Sequence, residues 1–412
     1  MAPLVFTSPA LQPTDREADR IEALDVLRGI ALLGMFLVHF NDNASPAAAG
    51  AGAVYQRIVG LFFEERFWTM FGILFGAGFA VQLRRAQARS AGFTARYLRR
   101  VAALAGFGLI AHAVFGFNVL LGYAMWALPL LLIGRWPLKA LMVALAISAA
   151  SWSLYFIAHA SYGVATSGEA AYIAEREAVA ERNRTFNQAN HQEQHNRHYP
   201  TVFRARLRHM RWFYAQPFSF LPVNTLTLFL IGLIGVRLGL FDEPETHQRL
   251  ILGFMVFGVS SWVAENWLMS AEGLPSGPLV LSIAIGRLET GLGLVRAMWL
   301  AFAYIGAVLL VAARRPAWLR SLAPFRWTGR MALTNYMAQI AILDLAFSNY
   351  ALHLALTPLQ GLGAGLALFG GCAVFSRWWL SRFLFGPLEW VWRSATYGAR
   401  QPWRATSSPD LV

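Results

Sequence analysis

Long apolar runs recur along this chain, and they restrict its fold more than any other feature. Ten of them fall near residues 24–42, 64–83, 97–116, 119–134, 138–160, 217–240, 248–270, 288–313, 328–348 and 360–382. A helix needs about 20 apolar residues to cross the hydrocarbon core of a bilayer. The spacing predicts an all-α polytopic transmembrane bundle of about ten helices. Composition agrees, with 57% hydrophobic and only 14% charged residues, where a soluble chain carries about 25%. A cleaved signal peptide is a rival for the first run, with Ala47-Ala48-Ala49 as a processing site. The preceding segment holds Asp15, Glu17, Asp19, Glu22 and Asp25, whereas a signal n-region is short and positive. A retained helix is expected.

Charge orients the bundle. The segment 84–100 contains six arginines (84, 85, 89, 96, 99 and 100) and no acid, and further basic clusters follow the fourth, eighth and tenth runs. All of them fall on one side, so the positive-inside rule puts both termini in the cytoplasm. The expected organisation is a cytoplasmic tail at 1–23, five helices at 24–160, an extracytoplasmic polar insertion at 161–216, five more helices at 217–382 and a cytoplasmic tail at 383–412. The net charge of +13 is therefore a topology signal, and no nucleic-acid partner is expected. Membrane lipid is the partner that these runs imply. One cysteine, Cys372, excludes a disulfide framework.

The insertion begins as an acidic-basic helical pattern and ends in Arg204, Arg206, Arg208 and Arg211 with Trp212, Phe213 and Tyr214, a composition suited to an interfacial helix on anionic lipid. Between these lies His191-Gln-Glu-Gln-His195-Asn-Arg-His198. The glutamate of a zincin motif is missing after His191, so a hydrated loop is expected and no metal. Gly72, Gly76 and Ala80 make a small-residue stripe that reads as helix packing. No P-loop, dinucleotide fingerprint or nucleophile elbow is present.

The ionisable residues inside the runs are the candidates for chemistry. Asp25 and Arg28 share a helical face, and His39 lies eleven residues beyond Arg28, about three turns or 16 Å along the same stripe. His112 falls in the outer half of the third helix, Glu265 near the outer end of the seventh, and Arg287 and Glu289 at the start of the eighth. In the ninth, Arg330, Thr334, Met337, Ala341 and Asp344 form one stripe, with Asn335 and Gln339 beside it. Arginines gather at the cytoplasmic mouth, and histidines and acids toward the outer side. That asymmetry suits an anionic donor below and a hydroxyl or amine acceptor above. Each element also has a plainer reading: anchoring for Asp25 and Arg28, packing for either histidine, and ion pairing for Asp344 and Glu265.

Four blocks carry a family likeness. The opening Arg20-x-x-x-Leu24-Asp25-x-Leu27-Arg28-Gly29-Ile30-Ala31 resembles that of YeiB-like bacterial inner-membrane proteins. So do Phe67-Trp-Thr-Met-Phe71-Gly-Ile-Leu-Phe75-Gly76-Ala-Gly78, Trp327-Thr-Gly329-Arg330-Met331-Ala332-Leu333-Thr334-Asn335-Tyr336 and Phe385-Gly386-Pro387-Leu388-Glu389-Trp390. The opening also resembles that of transmembrane acyltransferases, including heparan-alpha-glucosaminide N-acetyltransferase. The resemblance implies a protein of the bacterial inner membrane that transfers an acyl group from cytoplasmic acyl-CoA to a small-molecule or glycan acceptor outside. Arg28, Arg84, Arg85 and Arg330 would then hold the donor, with Asp25 orienting Arg28. His39 or His112 would be the base, oriented by Asp344 or Glu265, and Asn335, Gln339, Arg287 and Glu289 would face the acceptor. Two departures stand out: residues 41–65 contain no histidine, and His39 stands where YeiB-like proteins usually have asparagine. A transporter using the same polar pocket is the rival reading, and a non-catalytic scaffold the third.

Overall fold

The computed structural model describes residues 21–47, 49–88, 92–117, 119–215, 223–270 and 298–404. Within them every regular element is helical. The expected all-α membrane bundle is borne out. The helices are α1 (Glu22–Asp42), α2 (Gly50–Phe62), α3 (Arg66–Ala88), α4 (Phe93–Phe115), α5 (Val119–Ala127), α6 (Pro129–Ile133), α7 (Leu138–Ser167), α8 (Glu169–Gln194), α9 (Tyr199–Ala215), α10 (Val223–Arg237), α11 (Gln248–Ser270), α12 (Met298–Arg314), α13 (Ala323–Arg330), α14 (Ala332–Phe347), α15 (Pro358–Leu380) and α16 (Pro387–Tyr397).

Three helices, α1, α4 and α15, are both long and apolar enough to cross a membrane, and α7 joins them if its two arms, bent by 47°, count as one span. Other apolar helices are shorter, such as Thr225–Arg237 and Ala332–Phe347. The apolar stretch of α1 is 72% buried against 28% for α4 and 33% for α15, so α1 is the central post and the other two are peripheral. Glycines set the close crossings. A Cβ on Gly29 would collide with the carbonyl of Phe325, and one on Gly329 with the carbonyl of Asp25. These two positions let α1 and α13 pack backbone to backbone, as small residues do at membrane helix interfaces. Gly76 and Gly232 do the same for α3 and α10, against the carbonyls of Phe229 and Ile73. The stripe on α3 is thus a packing surface.

Two expectations need revision. The run at 328–348 is not one helix: Met331, at φ −115° and ψ 36°, separates α13 from α14. The stripe from Arg330 to Asp344 therefore does not exist as a straight ladder. The stretch 191–198, expected as a hydrated loop, is helical as far as Gln194, and the helices expected on either side of it in the polar insertion form. The insertion folds as a hairpin of α8 and α9, with only residues 195–198 between them. His191 and His195 stack at 4.0 Å between ring centroids, and the Asn349 amide donates to the His195 carbonyl at 2.6 Å. This short turn seats the hairpin tip on the segment after α14. α2, an amphipathic element between the first two runs, was not expected.

Candidate functional site

One end of α1 is an arginine cluster. Asp25, almost fully buried, accepts from Arg28 Nη1 at 2.9 Å. The three-residue spacing makes that pair a neighbour on one face. Arg100 of α4 and Arg393 of α16 complete the group, since Arg100 lies within electrostatic reach of both Arg28 and Arg393. Aromatic rings hold the two added guanidinium groups. Arg100 lies 3.7 Å over the ring of Trp392, whose Nε1 donates to the Arg100 carbonyl at 2.9 Å, and Arg393 lies 4.2 Å over Phe385. Asp25 offsets one of these positive charges where it bonds Arg28, and like charges held near one another otherwise repel. Sequence reasoning missed Arg393 and treated Arg100 only as a topology residue, because the C-terminal helix returns to the bundle through tertiary packing. Arg84 behaves differently: both guanidinium nitrogens bond Asp242, at 2.6 and 3.0 Å. The acidic turn after α10 thus takes up its fork. Arg85 and Arg330 are half-buried at the same end.

Three turns further along α1, His39 lines a cavity of about 340 Å³. Its Nδ1 lies 3.1 Å from the side-chain amide of Gln339 on α14, and Phe117 packs on its ring at 5.3 Å between centroids. One ring nitrogen is thereby committed to the protein, which leaves Nε2 for another partner. The cavity walls are rich in aromatic residues, with Phe67, Trp68, Trp126, Phe213 and Tyr214 among them. Phe213 and Tyr214 come from the polar insertion, so α9 closes one side of the chamber. The cavity holds one carboxylate-bearing residue among the described residues, Glu65. Glu65 also has φ 63°, the left-handed region that costs a non-glycine residue about 1–2 kcal/mol. Its carbonyl accepts from the Thr69 hydroxyl at 2.7 Å, and its neighbour Arg66 is buried. Strain of this kind clusters at functional sites. Nothing in the sequence pattern marked Glu65, because a backbone angle has no composition signal.

The remaining candidates divide. Asp344 is buried, and its hydrogen bonds go to Arg206 at 2.5 and 3.2 Å, to the Ser348 hydroxyl at 2.7 Å and to the Tyr350 hydroxyl. It clamps α9 to the end of α14, and Gln339, not Asp344, is the partner found at His39. Arg206 donates as well to the carbonyl of Val114 on α4. His112 is buried beside His209 and Tyr214, with ring centroids at 5.8 and 6.2 Å, and its Nδ1 has no hydrogen-bond partner among the described residues. Asn335 donates to the Thr328 carbonyl and to Ser376 Oγ, both at 3.0 Å, so it ties α13, α14 and α15 together. Glu265 lies on α11, and its side chain falls outside the described residues, as do Arg287 and Glu289 entirely.

Comparison with known proteins divides the chain in two. Residues 227–399 match a family described as a protein of unknown function (DUF418). Residues 20–171 match the catalytic region of heparan-alpha-glucosaminide N-acetyltransferase. YeiB of Escherichia coli (strain K12) is 38% identical over 74 residues, which cover 18% of this chain and 19% of YeiB. The YeiB-like resemblance is borne out. Two uncharacterised proteins match nearly end to end. The 39.9 kDa protein in the amylase 3' region of Bacillus acidopullulyticus is 28% identical over 93% of this chain and 96% of its own length. YxaH of Bacillus subtilis (strain 168) is 26% identical over 95% and 98%. No solved structure matches significantly. The hydrogen bond between His39 and Gln339 joins the acetyltransferase-like region to the DUF418 region.

The YeiB-like blocks also explain one another. Glu389 of the closing block accepts from the backbone N–H of Leu333 at 2.7 Å and of Thr334 at 3.0 Å, and from the Thr334 hydroxyl at 2.6 Å. Thr334 Oγ1 in turn accepts from the Leu388 N–H at 3.1 Å. A carboxylate from one motif caps the helix that opens in the other, where the first N–H groups lack intrahelical partners. Burial pushes the Glu389 carboxyl pKa up, against the hydrogen bonds from Thr334 and Leu333, which lower it. The opening block and the Trp327–Tyr336 block meet through Gly29 and Gly329. The motifs are one structural core around α1.

Proposed function

We propose that this protein is an acyltransferase of the bacterial inner membrane that moves an acyl group from cytoplasmic acyl-CoA to an extracytoplasmic hydroxyl or amine acceptor. The observation that carries the reading is the pairing of His39 with Gln339 at the wall of an aromatic cavity, on the same helix as the Arg28 cluster. The match of residues 20–171 to an acetyltransferase catalytic region supports it. In this reading both termini are cytoplasmic and the α8–α9 hairpin is outside.

The arginine end suits the phosphates of the donor by its chemistry: Arg28 and Arg393 both lie within electrostatic reach of Arg100, and planar forks match phosphate oxygens. Arg28, Arg100 and Arg393 would hold it, with Arg85 and Arg330 nearby. Arg84 drops to a minor role because Asp242 occupies its fork. At the other end, the Gln339 amide nitrogen lies 3.1 Å from His39 Nδ1; rotation of the amide by 180° places its oxygen there to accept from Nδ1–H, the tautomer that leaves the Nε2 lone pair toward the cavity. Nε2 takes the proton from the acceptor O–H or N–H as its oxygen or nitrogen forms the bond to the acyl carbon. The carbon–sulfur bond breaks, and the imidazolium returns the proton to the leaving thiolate, so the histidine ends neutral. Gln339 acts by holding the ring, and the cavity walls keep water from the acyl group.

The test is thermal stabilisation of the purified protein by acetyl-CoA. Wild type gains stability with added ligand. Arg28→Ala loses a charge-assisted contact of roughly 1.5–3 kcal/mol and binds tenfold or more weakly. Arg84→Ala binds almost as well as wild type. Absence of any stabilisation by millimolar acetyl-CoA refutes the reading.

A further inference from the structure

The helix α9 carries more positive charge than its packing uses. Its buried side presents Val202, Ala205 and Arg206 to the bundle, and Arg206 is consumed by Asp344. On the opposite side Arg204, Arg208 and Arg211 are exposed at spacings of four and three, so they share one face. Arg208 pairs with Glu193 at 2.6 Å with both side chains nearly half exposed, while Arg204 and Arg211 make no ion pair among the described residues. Leu207 and Trp212 border the three arginines in one surface depression, and Trp212 is fixed by stacking on Phe186 at 4.6 Å.

We infer that this face is a docking site for the phosphate groups of anionic phospholipid. The arginines run along about 10 Å of helix, seven residues at 1.5 Å each. A row of that length matches adjacent lipid headgroups better than one free phosphate. The patch lies at the C-terminal end of α9, which stops at Ala215, and the next described helix in the chain is the apolar α10 from Val223. The depth of the patch is therefore that of the headgroups, where tryptophan and basic side chains flanking an apolar surface are favoured. Guanidinium forks bind phosphate oxygens in bidentate geometry. The site abuts the cavity wall: Tyr214, which lines the chamber of His39, lies one turn beyond Arg211. A lipid held here presents its headgroup beside that chamber. The docking itself does not depend on the acyltransferase reading.

The test uses the full chain in nanodiscs. Ala215 borders the patch and is exposed, so Ala215→Cys, in a Cys372→Ala background, takes a bimane fluorophore. Brominated phosphatidylglycerol and brominated phosphatidylcholine are compared as quenchers at equal mole fraction. The expected result is stronger quenching by phosphatidylglycerol, abolished by high salt. Each basic residue near an anionic surface contributes about 1 kcal/mol, a factor of about five, so Arg204→Gln with Arg208→Gln and Arg211→Gln weakens the preference by roughly 100-fold. Arg211→Gln alone, which breaks no ion pair, weakens it about fivefold and guards against misfolding of the triple variant. Equal quenching by the two lipids in the wild-type background overturns the inference. So does a phosphatidylglycerol preference that survives Arg211→Gln and the triple substitution unchanged.

Discussion

Arg206→Met tests whether the polar hairpin is held by one buried ion pair. The side chains of Arg206 and Asp344 are 6% and 5% exposed, and they are joined by bonds of 2.5 and 3.2 Å. Burial works against the Arg206 charge, but the contacts to Asp344 outweigh it and hold the guanidinium pKa above its usual value. Removing one member of such a pair typically costs 3–5 kcal/mol, because the other is left charged and buried. Arg206→Met lies at the low end, about 3 kcal/mol, since the Ser348 and Tyr350 hydroxyls still donate to Asp344. Asp344→Leu lies near the high end, about 4–5 kcal/mol, since Arg206 keeps only the Val114 carbonyl and the Tyr350 ring, 5.9 Å away. With both charges gone the unpaired ion disappears, and the double variant should lie within about 1–2 kcal/mol of wild type. The assay is equilibrium or thermal unfolding in detergent, with limited proteolysis of 169–215 reporting hairpin release. Independent sites add to within about 0.5 kcal/mol. If the double variant loses the sum of the singles, the pair is not the clamp and the hairpin is held by its apolar contacts.

Further outcomes follow from the same geometry. His39→Ala lowers acyl transfer by roughly 10²–10⁴ with acetyl-CoA binding unchanged, while Gln339→Leu produces a smaller loss; full activity in His39→Asn makes His39 a packing residue and moves attention to His112. Glu65→Gly relieves the left-handed backbone and should raise stability by about 1 kcal/mol while lowering transfer; a fall in melting temperature shows that the carboxylate is structural. Glu389→Ala leaves two helix N–H groups and the Thr334 hydroxyl without their acceptor and should cost about 3 kcal/mol or more, whereas Glu389→Gln keeps one acceptor oxygen and costs less; equal melting temperatures for both variants contradict the capping role. Cysteine at Gln188 should label with an impermeant thiol reagent in intact cells and cysteine at Gln87 should not; the reverse pattern inverts the topology.

Local chemistry was legible in the sequence wherever a short-range rule governed it. Hydropathy over about 20 residues marks a helix in lipid, because no other backbone conformation satisfies its own hydrogen bonds there. The runs at 24–42, 97–116 and 360–382 became α1, α4 and α15. The pairing of Asp25 with Arg28, three residues apart, was equally readable. The break at Met331 was not, since α13 and α14 belong to one apolar run and only the Glu389 cap, 55 residues away, marks where the second begins.

The site itself was decided by packing. His39 and Gln339 are 300 residues apart, Arg206 and Asp344 are 138 apart, and no spacing rule connects either pair. The sequence left Asp344 open between orienting a histidine and pairing with a buried cation, and packing chose the second. In the folded chain, α9 returns over the bundle and brings Arg206, which satisfies a buried carboxylate far better than a neutral imidazole does. Likewise α16 folds back so that Arg393 joins Arg28 and Arg100. Sequence determines which residues must be buried or must face water, because those costs are paid residue by residue. Which buried polar groups meet depends on helix crossings set by Gly29, Gly329, Gly76 and Gly232, and only the tertiary structure contains that information.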